Sequence, residues 1–280
     1  MRCFLVIAFL SVLLTPLVQG CAVPVFRYAL ERWESDPFQM VVFYRGKLDA
    51  ALTAKLDALE PIMAENAGAR PNWKITRVDV EKPVPGLWSA LWEPLSKHDL
   101  PAVALCTPEW RKGAPALWSG PVDVNKIDQL IDSPKRREIR DHALKGTAVT
   151  WLLIETKDEA KNAALAKLVE IASERLVNEL IIPAGIGKDG VDVRSSLPVE
   201  VSFATIHLRA DDPAETMLLR MLSSDGTAPK EPQLVPIFGR GRALAVMPAA
   251  TVNDGLLTET ARFICGACSC QVKAQNPGFD

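Results

Sequence analysis

Apolar positions along this chain alternate between two periods, and the alternation happens twice. Phe38 to Tyr44 (FQMVVFY) is a continuous β-prone run and predicts a buried strand. Asp49 to Ala64 follows, with Leu52, Leu56, Leu59 and Met63 at helical spacing. Trp73 to Val80 alternates as a second strand, and Gly86 to Leu95 sets Leu87, Trp88, Leu91, Trp92 and Leu95 on one helical face. Pro101 opens a third strand, PAVALC, and Gly113 to Trp118 leads into a fourth across a turn. Ile127, Leu130, Ile131 and the stretch Lys135 to Leu144 predict one closing helix. The order is β-α-β-α-β-β-α, which implies parallel strands joined by crossovers plus an antiparallel hairpin.

The second half repeats the plan. Ala148 to Glu155 (AVTWLLIE) predicts a buried strand, and Asp158 to Leu180 a long amphipathic helix. Val199 to Leu208 alternates as a strand. Asp212-Pro213 starts a helix, with proline at its first position and Met217, Leu218 and Met221 facing inward. Leu234 to Phe238 and Ala243 to Met247 flank Gly239-Arg240-Gly241-Arg242, a hairpin-turn signal. Leu256 to Ile264 ends the series as a helix. Gly146-Thr147 marks the boundary between halves, and Ile182 to Gly190 reads as a loop. The fold class is therefore α/β, with one module over 38–145 and a second over 146–280.

That order resembles the thioredoxin fold, with Leu100-Pro101-Ala102-Val103 where that fold has its cis-proline strand. The resemblance implies two tandem thioredoxin-like modules and a cis bond at Pro101. It is one of pattern and not of catalytic motif. Redox-active thioredoxins place CxxC after the first strand. Here those places read Tyr44-Arg45-Gly46-Lys47-Leu48-Asp49 and Glu155-Thr156-Lys157-Asp158, without cysteine. Neither module is expected to run thioredoxin chemistry at that position.

The chain opens with Met1-Arg2, an apolar run from Cys3 to Leu14, then Thr15-Pro16 and Val18-Gln19-Gly20-Cys21. Basic start, apolar core and a small residue before the cut make a secretory signal over 1–20. The run is too short for a membrane span of about 20 residues. A cysteine after the small residue resembles the bacterial lipobox, although Gln19 departs from its usual small residue. That resemblance implies cleavage before Cys21, acylation of Cys21, and a tether over 21–37. Acyl chains on Cys21 would make the membrane a partner, in the cell envelope or periplasm, alongside an unidentified envelope protein. Pro24 to Trp33, and Cys268 to Lys273 before Asn276-Pro277-Gly278, also resemble uncharacterised exported lipoproteins of planctomycete-type bacteria. That resemblance implies an address and no activity.

Composition narrows the classes. Hydrophobic content of 48% and charged content of 24% are globular values. A net charge of −2 provides no electrostatic footprint for nucleic acid. Aromatics number seven Trp against two Tyr, which suits core anchors more than a base-stacking surface.

Chemistry concentrates in Cys265-Gly266-Ala267-Cys268-Ser269-Cys270. Three uses compete. A redox pair Cys265 and Cys268 resembles CGPC, but the motif ends a helix, and a nucleophilic thiol is activated at a helix N-terminus. Cys265, Cys268 and Cys270 together suit Cu(I) or zinc, although structural zinc takes four ligands. Structural disulfides among Cys106, Cys265, Cys268 and Cys270 are the third use: every full pairing joins Cys106 to the cluster, while a single local bridge within the cluster would leave Cys106 a buried strand thiol. No other cofactor is implied. Gly239-Arg240-Gly241-Arg242 could present guanidiniums to an anion, but a turn needs its glycines anyway. His98, His142 and His207 are scattered, and His207 is the best placed as a ligand. The resulting expectation is an exported, lipid-anchored, thioredoxin-like binding or assembly module. The rival is an envelope thiol-disulfide oxidoreductase or soft-metal carrier using the C-terminal cysteines.

Overall fold

A computed structural model describes residues 23–60, 72–108, 114–182, 186, 193–223, 227–268 and 271–280. It is a mixed α/β structure with two sheets and, among the described residues, eight α-helices.

A helix comes first, α1 (Val25–Arg32). The first sheet follows: β1 (Phe38–Tyr44), α2 (Ala50–Leu59), β2 (Trp73–Asp79), α3 (Ser89–Leu95), β3 (Ala102–Cys106) and β4 (Trp118–Pro121). Its order is β2-β1-β3-β4, with β1 parallel to β2 and antiparallel to β3, and β3 antiparallel to β4. β1 is buried on both faces, so its run of apolar residues has partners above and below. Met40 and Val42 meet Leu52 and Leu56 of α2, and Ile127 and Leu130 of α4 (Val124–Ile131). Val41 and Phe43 meet Leu91 and Leu95 of α3 on the other face. Asp49 and Asp123 cap α2 and α4, accepting from Leu52 N and Lys126 N. The Leu100–Pro101 peptide is cis.

The closing helix expected over 127–144 is two helices. Pro134 forces Ser133 into extended backbone and starts α5 (Pro134–Leu144) afresh. The two pieces serve different cores: Ile127 and Leu130 lie in the first, while Ile139 packs on the second sheet with Leu152, Ile154, Ile206 and Leu208. The boundary expected at 145/146 thus falls after a helix that already covers the second half.

The second sheet holds β5 (Val149–Glu155), β6 (Phe203–Arg209), β7 (Gln233–Phe238), β8 (Arg242–Ala243) and β9 (Met247–Pro248). Its order is β6-β5-β7-β8, with β5 parallel to β6 and antiparallel to β7. α6 (Glu159–Glu179) and α8 (Asp254–Cys265) cover the Trp151–Leu153 face, and α7 (Thr216–Leu222) joins α5 on the face of Leu152 and Ile154. Residues 21–37, read from sequence as a tether, contain the buried α1. Val25, Phe26 and Ala29 sit in the α6–α8 core, and Ala29 packs where a Cβ on Gly239 (φ +60°) would come within 2.7 Å of it.

The halves meet at Glu215, which is fully buried. Ser133 Oγ donates to Glu215 Oε2 at 2.6 Å, and Lys135 N to Oε1 at 2.7 Å. Arg136 Nε donates to Ser133 Oγ at 3.0 Å, and its remaining nitrogens reach Leu130 O. Burial lowers the Arg136 pKa, opposed by Glu215 and Asp132. Two residues after Glu215, Met217 enters the first core, and Arg220 Nη1 donates to Leu117 O at 3.1 Å. Glu215→Ala therefore orphans the Ser133 hydroxyl and the Lys135 N–H at the start of α5. Urea unfolding is expected to show a loss of about 3 kcal/mol, whereas Glu170→Ala, on an exposed pair with Lys167, changes stability far less.

Candidate functional site

Cys265 ends α8 and is 4% exposed; Cys268 is 1% exposed three residues on. Both lie in the α6–α8 core of the second sheet. Burial pushes the Cys265 thiol up from 9.0 to about 12, so it is a poor thiolate at neutral pH. Cys106 lies in the other half, beneath α3 with Val41 and Phe43, and burial pushes it to about 12 as well. Cys106 and Cys265 are free thiols in separate cores. The staple that the sequence allows between Cys106 and the cluster is not made; the Glu215 hydrogen bonds join the halves instead. Cys21 and Cys270 fall outside the described residues, and among the described residues no group of three His, Cys, Asp or Glu side chains could hold a metal.

The cysteine segment does work through its backbone. Cys268 N donates to Val23 O and Val25 N to Gly266 O, both at 2.9 Å, and Pro24 bridges Ala267. Trp33 Nε1 donates to Gln271 O at 3.0 Å. The chain's early residues and its C-terminal segment are thus paired. Arg27, fully buried in α1, completes the attachment: its Nε lies 2.8 Å from Glu31 Oε1, and its Nη2 donates to Ser195 O and Leu197 O. Glu31 in turn accepts from the backbone N–H groups of Arg194 and Ser195. Spacing of four residues between Arg27 and Glu31 is legible in sequence, but it is the spacing of any exposed helical ion pair.

After β1 the chain makes a turn without cysteine. Gly46 (φ +66°) donates its N–H to Asp79 Oδ1 at 3.1 Å, and Val80 N donates to Tyr44 O at 2.8 Å. Asp79 also accepts from Glu81 N, and that bond leads the lowering of its pKa. The cis Pro101 adjoins this turn, since Ala102 pairs with Phe43. After β5, Asn162 closes a turn by bonding both backbone groups of Thr156, and Asp158 caps α6. His207, the best-placed histidine in sequence, is exposed and pairs with Glu155 at 2.6 Å.

The arginines of Gly239-Arg240-Gly241-Arg242 both serve the fold. Arg240 Nε donates to Leu30 O at 2.7 Å. Arg242 is 7% exposed, with Asp280 at 2.8 Å and the carbonyls of Asn276, Pro277 and Gly278 around its guanidinium. Arg242 is therefore not left to grip an anion.

The concave feature that sequence reasoning missed is a groove of about 980 Å³ on the α7 side of the second sheet. Its wall includes Ile154, Leu219, Leu222, Val246 and Phe279, and its rim carries Asp211, Asp212, Lys230 and Glu231. It opens beside the carboxyl ends of β5 and β6, where α/β sheets place ligands. An apolar wall with a mixed-charge rim suits a peptide or protein segment more than a small anion.

No protein-family model and no curated protein matches this chain. Among solved structures, the first two thioredoxin domains of Saccharomyces cerevisiae Eps1p align at 11% identity over 81% of this chain and 92% of that chain, with a TM-score of 0.25. That is a weak likeness, and the topology described above stands on strand order alone.

The two raised thiols have a pH signature. The folded chain keeps Cys106 and Cys265 protonated up to about pH 12, while the unfolded chain ionises them near 9. Their contribution to stability is full below pH 9 and is lost as pH rises toward 12, by about 1.4 kcal/mol per unit for each thiol. Urea unfolding between pH 8 and 11 is expected to show this fall, with a shallower slope in Cys106→Ala.

Proposed function

We propose that the chain is an exported, lipid-anchored binding or assembly module of the cell envelope, built from two tandem thioredoxin-like modules that lack thioredoxin chemistry. The observation carrying this reading is the pair of turns after β1 and β5. Asp79 closes one and Asn162 the other, and neither holds a cysteine. The matching strand orders β2-β1-β3-β4 and β6-β5-β7-β8 support the tandem architecture. The groove beside α7 supports a binding role, with an envelope protein as its partner. Cys21 acylation would hold the module to the membrane, where two acyl chains anchor stably. The buried Cys265 and Cys268 then serve packing rather than disulfide exchange.

Three measurements test the reading. Radiolabelled palmitate should enter the wild-type chain and not Cys21→Ser, which should leave the membrane fraction. The purified protein should reduce insulin disulfides no faster than buffer with reductant. Cys265→Ser combined with Cys268→Ser should lower the melting temperature by about 5 °C, through the loss of two buried groups. A reductase activity that disappears in that variant at unchanged melting temperature would overturn the proposal.

A further inference from the structure

The outer edge of the second sheet has a gap in its hydrogen bonding. β8 and β9 both pair with β7, but out of step. Ala243 faces Ile237 and Met247 faces Leu234, so three residues of the outer segment stand opposite two of β7. That is a β-bulge, and a bulge leaves part of the ladder unpaired. Leu244 N still donates to Pro236 O and Ala249 N to Pro232 O, both at 2.8 Å. Between them, Ala245 and Val246 have no hydrogen-bond partner among the described residues. Both are only half-buried, so another chain can reach them.

The same edge already accepts a strand at one position. Ala243 N donates to Phe279 O and Phe279 N to Ala243 O, both at 2.9 Å, as an antiparallel bridge. Continued in that register, residue 277 would face Ala245. It is a proline, which has no N–H to give, and Gly278 (φ +106°) takes the backbone off the extended line. The carbonyls of Asn276, Pro277 and Gly278 go to the Arg242 guanidinium instead. Residues 276–279 thus start a strand on this edge and leave it before the two unpaired residues. Val246, Pro248 and Phe279 all line the groove beside α7, so the open edge forms one side of it.

We propose that the groove takes an extended peptide segment of a partner protein as an added antiparallel strand on Ala245 and Val246, in line with Phe279. This mode of binding rests on the groove as the module's binding surface and adds the backbone groups that hold the partner. In strand addition the main-chain bonds supply affinity, and alternate side chains supply specificity. One face of the added strand meets the apolar wall of Leu219, Leu222 and Val246. Asp211, Asp212 and Glu231 line the groove against Arg220 and Lys230, and Arg220 is already held by Leu117 O. That balance favours a basic segment over an acidic one. Antiparallel addition brings the amino-terminal end of the segment to Pro248, beside Glu231, which is bonded to Ala250 N. A lysine therefore belongs at that end of the segment.

The test uses the full-length protein and a synthetic probe, an acetylated and amidated heptapeptide with lysine first and valine alternating with threonine behind it. Amide hydrogen exchange is expected to slow by about ten-fold at Ala245 and Val246 when the peptide binds. Methylating the peptide nitrogens that face the edge should weaken binding by about ten-fold, with the protein unchanged. Ala245→Pro removes a donor at an edge position that tolerates proline, and should weaken binding as much at an unchanged melting temperature. Replacing the peptide's lysine by glutamate should weaken binding several-fold. Equal binding of the methylated and unmethylated peptides overturns strand addition and leaves the groove as a binding surface. No change of exchange at Leu219, Leu222 or Val246 with the parent peptide overturns both. A dimer of the chain through residues 243–248, lost in Ala245→Pro, makes a second copy the occupant and overturns the peptide.

Discussion

The Glu215 carboxylate has no access to solvent, so protein donors must answer it. A Ser133 hydroxyl and the Lys135 N–H do so, and both belong to the start of α5. The same bonds that satisfy Glu215 also satisfy a helix N-terminus, where an acidic group is favoured. Because Glu215 precedes α7 and Ser133 precedes α5, one buried contact sets the position of both helices. α5 then lies on the second sheet, and Met217 at the head of α7 reaches the first core. The halves share parts across this contact and are not merely strung together.

Strand positions were legible because both sheets are covered on two faces. A strand buried above and below is largely apolar, and FQMVVFY and AVTWLLIE are, with Gln39, Thr150 and Glu155 the exceptions. The β1 limits predicted from that run match the structure residue for residue. Helix α6 was equally plain, from its period and its Asp158 cap. The break between α4 and α5 was available in Asp132-Ser133-Pro134, a cap followed by proline, but the apolar period on either side masked it. Nothing local distinguishes α1 from a tether, because its apolar face is matched by residues more than 200 positions away.

The site was less legible than the fold. Cysteine spacing indicated a cluster but could not indicate depth, and depth decides thiol chemistry: desolvation at Cys265 suppresses the thiolate that both redox and metal uses need. Glu215 follows Asp212-Pro213-Ala214 in the first turn of a helix, where acids are common and usually wet. Its burial depends on tertiary partners, as does that of Arg27 and Arg242. The groove is a property of how α7 and residues 227–233 stand against the sheet, and no residue in it carries a motif.

The pairing of the α1 segment with residues 266–268 and Gln271 also bears on how the molecule is made. Tyr28 and Gln271, which touch across 243 positions, leave the ribosome that many residues apart. The first sheet contains its own strands and can close early, as can the α6 crossover. The α6–α8 core cannot be completed until the last helix is present to receive α1, which emerged before either sheet. Until then α1 exposes Val25, Phe26 and Tyr28. Contacts of such sequence separation form late and slowly, and their apolar surfaces are open to aggregation while they wait. The chain therefore has a built-in interval of vulnerability that a holding chaperone would have to cover.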